Sequence, residues 1–131
     1  MKTHIHVSVA VITILVFLSC GQQDTLSKMN KEIPIFEGAE VIESYMPEKK
    51  TGVIKMEIDM SKSSQNEIFD FYRDTMANKG WKTKKFKDYG KNGSIMEMVK
   101  DDTGTLSVMT IMKKVEKTGK IPLTLNLTIN Q

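Results

Sequence analysis

Ile121, Leu123, Leu125, Leu127 and Ile129 alternate without a break with Pro122, Thr124, Asn126 and Thr128. Side chains of an extended chain point to opposite faces in turn, so this pattern gives one apolar and one polar face and demands a half-buried strand. Ile54, Met56, Ile58 and Met60 repeat it, with Lys55, Glu57 and Asp59 opposite. Such strands need a sheet to join and a layer to cover their apolar side. Pro122 has no amide to donate, which predicts a strand start or a sheet edge there.

One segment can form that layer. Ser64 and Glu67 have the spacing of a capping box, in which hydroxyl and carboxylate satisfy free amides at a helix start. Ile68, Phe71, Tyr72, Thr75 and Met76 then recur at three- and four-residue steps, and Gly80 supplies the stop. Before the helix, Glu40–Met46 and Gly52–Met60 read as strands joined by a hairpin over 47–52. After it, Trp81–Asp88, Ile95–Lys100, Thr105–Lys114 and Ile121–Ile129 read as four more, separated by turns such as Asp101-Asp102-Thr103-Gly104. The expectation is a two-layer α+β domain over 33–131. It has an antiparallel sheet of about five or six strands in the order ββαββββ, with one helix on one face. Phe69, Phe71, Tyr72 and Trp81 fall at the helix and its exit, and are expected between the layers. A chain of 131 residues has room for this domain and little else.

The beginning of the chain has a different logic. Lys2 precedes an apolar run of twelve, Val7–Leu18, too short to span a bilayer, which takes about 20 residues. It suits the apolar core of a secretory signal. The only Cys follows at once, in Phe17-Leu18-Ser19-Cys20-Gly21. This arrangement resembles the lipobox of bacterial lipoproteins. The resemblance implies cleavage after Ser19 and acylation of Cys20, with residues 1–19 a signal peptide. A short uncleaved anchor helix and cleavage elsewhere are the competing readings. Residues 21–32 are polar and aperiodic, so 20–32 reads as a lipidated Cys and flexible tether. The implied location is the cell envelope, outside the cytoplasm. Gly21 after the Cys resembles the pattern for outer-membrane delivery if the cell is Gram-negative.

Ile33-Pro-Ile-Phe-Glu-Gly-Ala39, Phe71-Tyr72 and Gly80-Trp81 together resemble a recurring domain of small bacterial lipoproteins. Glu37 and Gln65 stand where that group often has Pro. The resemblance covers about 33–131 and carries no established activity, hence no catalytic residue.

The missing residues restrict chemistry further. His4 and His6, the only two histidines, lie in the signal. With Cys20 acylated, the domain has neither the usual neutral-pH base nor a thiolate, so His- and Cys-based catalysis and ordinary zinc or haem-His ligation fall away. The expectation is a non-enzymatic binding or structural module without a cofactor. Ten methionines leave one metal alternative. Met96 and Met98 share a strand face, and thioethers suit Cu(I); the competing reading is that they fill the core. Lys79, Lys82, Lys84, Lys85, Lys87 and Lys91 form a dense basic stretch around Trp81, Phe86 and Tyr89, and Lys113, Lys114, Lys117 and Lys120 form a second group. The first stretch is a candidate contact for an anionic surface, or a lysine-guarded sheet edge. The expected partners are the membrane, through lipid on Cys20, and an envelope protein or anionic surface. Specific nucleic-acid readout is not expected.

Overall fold

A computed structural model describes residues 29–130. The signal, Cys20 and the first part of the tether lie outside the described residues. The domain is α+β, a six-stranded open antiparallel sheet with a helix on one face. Along the chain come β1 (Glu40–Glu48), β2 (Thr51–Asp59), α1 (Gln65–Ala77), β3 (Lys82–Asp88), β4 (Ser94–Lys100), β5 (Gly104–Thr110), the four-residue α2 (Val115–Thr118) and β6 (Lys120–Ile129). In space the order is β1-β2-β6-β5-β4-β3, so α1 carries the chain from one side of the sheet to the other.

The alternation in the sequence becomes the register of the sheet. β2 and β6 pair without interruption from Thr51↔Thr128 to Asp59↔Lys120, which sets Ile54 against Leu125, Met56 against Leu123 and Ile58 against Ile121. These residues, with Leu106, Val108, Met96 and Met98 from β5 and β4, form the buried face. α1 meets it through Ile68, Phe69, Tyr72 and Met76. The capping box is formed in full: Glu67 N donates to Ser64 Oγ, and Ser64 N to Glu67 Oε1. Tyr72 is fully buried, and its hydroxyl accepts from Phe36 N at 3.2 Å. Burial raises its phenol far above the usual range, so it stays protonated.

Pro122 lies in β6, a central strand. Its carbonyl accepts from Ile111 N, one residue past the end of β5, so its nitrogen points to where the ladder has stopped. Neither expected position is met: Pro122 is the third residue of a central strand, tolerated because β5 has ended on that side. The strand expected over 105–114 ends at Thr110, because the chain turns there to make α2, with Lys114 at φ 75°. The first hairpin is tighter than its Pro-Lys-rich composition suggests, with Glu48 directly opposite Thr51.

The tether needs correction in its described part. Residues 29–32 form a helical turn rather than open chain, and Ile33 N donates to Met29 O. Met29 (0% exposed) and Ile33 (1%) belong to the core. Their four-residue spacing puts both on one face of the turn, and the polar neighbours hide this in the sequence. The turn is fixed from outside by Glu32, whose Oε1 accepts from Trp81 Nε1 (2.8 Å) and Lys100 Nζ (2.9 Å). The folded body therefore includes residue 29.

Candidate functional site

The six lysines of the basic stretch separate into three settings. Lys79 turns inward: its ammonium donates to the carbonyls of Lys31 and Glu32, at 3.3 and 2.8 Å, and closes the N-terminal turn. It is a structural lysine. Lys82, Lys85 and Lys87 lie on β3, an edge strand exposed along its whole length, opposite Val99, Glu97 and Ile95 of β4. The bulge between Thr83 and Lys85 inserts Lys84 as the extra residue, and Lys84 Nζ lies 3.7 Å from Glu97. The bulge keeps Phe86 on the helix side, edge-on to Phe69, and sends the three paired lysines to the open face. Lys91 is elsewhere, on the turn between β3 and β4.

That turn is built by Asp88. Its Oδ1 accepts from Gly90 N (2.8 Å) and from Ser94 Oγ (3.1 Å), and Ser94 in turn accepts from Gln65 Nε2 at the start of α1. Gly93 (φ 110°) lies where a Cβ would be 1.9 Å from Thr110 O. Lys91 is thus held on a tight turn pressed against the end of β5. From the other side comes the α2 segment. Lys114 is the only non-glycine with positive φ among the described residues, a conformation that costs about 1–2 kcal/mol. Its carbonyl accepts from Lys117 N and Thr118 N, and Gly119 O accepts from Met60 N at 3.0 Å.

These pieces enclose a cleft of about 550 Å³ at the end of the sheet where β4 and β6 begin. Val115 (3% exposed) and half-buried Met112 lie deepest, and Met60, 45% exposed, stands toward solvent. Lys91, Lys113, Lys114 and Lys117 all line it, with Glu116 the one carboxylate. None of the four lysines forms an ion pair among the described residues. Lys91 of the first lysine group and Lys113, Lys114 and Lys117 of the second meet here. The sequence signal was partial: the second group was visible, but Met60 reads as a continuation of the β2 alternation, and nothing local brings residue 60 to residues 112–117.

Met96 and Met98 do share a face, and both are fully buried within the apolar core. Their packing with Leu106 and Val108 is that of gap-filling side chains. Among the described residues, no three His, Cys, Asp or Glu gather where they could hold a metal ion. Asp101–Gly104 is a turn, closed by Thr103 N donating to Lys100 O.

Glu32 has the clearest electrostatic setting. Partial burial works to raise its carboxyl. The hydrogen bonds from Lys100 and Trp81, with the charges of Lys100 and Lys79, outweigh this and hold it below the ordinary carboxylate range. It has the arrangement of a structural clasp.

No protein-family model, curated protein or solved structure matches the chain.

Proposed function

We propose that this protein is a lipid-anchored, extracytoplasmic binding module of the cell envelope, without catalytic activity of its own. One observation carries the reading: the only Cys of the chain, Cys20, directly follows a twelve-residue apolar run and a small residue, Ser19. The dimensions support it. The folded body reaches back at least to Met29, so residues 21–28 are left to link lipid and fold. Eight residues extend to at most about 28 Å, which keeps the domain beside the bilayer. Thioether-linked and amide-linked acyl chains together exceed the two-signal requirement for stable anchoring.

The binding part rests on the second face of the sheet. The face of the sheet opposite α1 carries Thr105, Ser107, Thr124 and Asn126, all half-buried, and the lysine column of β3 borders it.

The test is the intact mass of the protein extracted from membranes, beside a Cys20→Ser variant. A mass lacking residues 1–19 and carrying three acyl chains is expected, with the variant unacylated. An unacylated wild-type mass, or one retaining the signal, overturns the anchored reading.

A further inference from the structure

We infer that the cleft between the Gly90 turn and α2 is a binding site for an amphipathic organic anion, a phosphate or carboxylate carried on a short aliphatic stem. This goes beyond the sheet-face surface named above and does not rest on the lipid part of that proposal, because the cleft is formed by described residues whether or not Cys20 is acylated.

The composition of the walls selects the ligand. Lys91, Lys113, Lys114 and Lys117 line one cleft with a single carboxylate, Glu116. This excess of positive charge favours an anion there. Lysines that merely keep a surface soluble spread over it, whereas these converge from two segments more than twenty residues apart. The interior is of opposite character. Val115 and Met112 form its floor and Met60 its rim, a mainly apolar surface, and a bare inorganic anion would leave the floor wet. An aliphatic stem covers it and contributes about 0.8 kcal/mol for each buried methylene. Methionine suits such a surface because its flexible thioether adapts to the chain it meets. The volume, about 550 Å³, is in the range of small-molecule sites.

The backbone adds an independent indication. Lys114 is held in a left-handed conformation that glycine would adopt at lower cost. Strain of this kind concentrates at binding sites, and here it falls on a cation of the cleft. Gly119, which ends the same turn, fixes Met60 through its carbonyl. Lys114 and the Met60 backbone are therefore positioned by α2 and its two flanking residues.

The ligand has two possible sources, a free amphiphile and the headgroup region of an anionic lipid. Residues 29–32 join the fold at the Lys100 end of the sheet, opposite the cleft, which favours the free form for a domain tethered from that side.

The experiment titrates the full chain, held in nonionic detergent, with hexyl phosphate, inorganic phosphate and 1-hexanol by calorimetry, against detergent alone. Saturable binding of hexyl phosphate is expected, with inorganic phosphate and hexanol each at least about tenfold weaker. Lys113→Glu/Lys117→Glu should weaken hexyl phosphate about tenfold or more. Lys82→Glu/Lys85→Glu, on the β3 edge, should leave it unchanged, with circular dichroism as the check that both variants fold. Equal binding of phosphate with and without the stem overturns the proposal. So does binding that survives the Lys113/Lys117 reversal, or no signal beyond detergent. Competition in the same detergent titration with short-chain phosphatidylglycerol, beside short-chain phosphatidylcholine, then assigns the source. Displacement of hexyl phosphate by phosphatidylglycerol alone identifies a headgroup, and hexyl phosphate binding that phosphatidylglycerol does not displace identifies a free amphiphile. Neither result depends on the mass of Cys20, so failure here is separable from failure of the anchored reading.

Discussion

The indole nitrogen of Trp81 donates to Glu32 Oε1 at 2.8 Å across forty-nine residues of sequence, and this contact locks the N-terminal turn onto the exit of α1. Lys100 shares the same oxygen. Because the carboxyl of Glu32 is held below its ordinary value, it stabilises the fold above that ordinary value, and the contribution is lost as pH falls through the depressed one. Urea unfolding of wild type and Glu32→Gln across about pH 2–7 should show wild type ahead near neutrality by at most about 1 kcal/mol, the pair being partly exposed. The gap should close in acid. A gap independent of pH would show that charge has no part in the clasp.

Met29 offers a direct measure of where the folded body begins. A tether residue can be cut back without effect, but Met29 is fully buried. Met29→Ala should cost about 2–4 kcal/mol in denaturant unfolding. A loss under about 0.5 kcal/mol would return the residue to the tether.

Two glycines three residues apart should respond differently. Gly90 has φ 62° and open space where a Cβ would stand, so Gly90→Ala meets only the backbone penalty, about 1 kcal/mol. Gly93 has φ 110° and would drive a Cβ into the Thr110 carbonyl. Gly93→Ala should cost more than about 2 kcal/mol and lower the thermal midpoint accordingly. Equal losses at both sites would mean that the turn can move off β5.

The core methionines make a prediction about metal. With Met96 and Met98 sealed among Leu106 and Val108, the double variant Met96→Leu/Met98→Leu should lose under about 1.5 kcal/mol per site. Titration of the full chain with Cu(I) should show no uptake that this variant abolishes. Stoichiometric uptake lost with both thioethers would restore the metal reading.

Lys82, Lys85 and Lys87 test the edge. Threonine is a good strand former without charge, so replacing all three should make β3 a template for a second sheet. Sedimentation velocity should show wild type dispersed and the triple variant self-associating with concentration. A variant as dispersed as wild type would leave the lysines free for a binding role alone.

What the sequence made legible follows the range of the forces involved. Ile121–Ile129 and Ile54–Ile58 reveal their faces because burial of a sheet face acts on every second residue. Ser64 and Glu67 reveal a helix start because capping is local. Met60 and Ile111–Met112 misled for the same reason: they continue an apolar alternation past the point where the ladder partners end. Lys79 and Glu32 look like solvated charges because their partners, carbonyls 31 and 32 for one and Trp81 and Lys100 for the other, lie far along the chain. The cleft was invisible as a whole, since Met60, Lys91 and Lys114 become neighbours only once the sheet is assembled.

The place of β6 has a consequence for the order of assembly. It lies between β2 and β5, and no other strand joins the β1–β2 hairpin to the β3–β4–β5 meander. Until residues 120–129 are available, the two parts have no hydrogen-bonded seam, and the apolar stripe of β2 has no sheet neighbour on that flank. Closure waits for the strand made last, and ladder formation at such separation is slow. If the chain is exported as proposed, this is a useful sequence of events. The strand that completes the sheet follows the other five along the chain, so the sheet stays open while they cross.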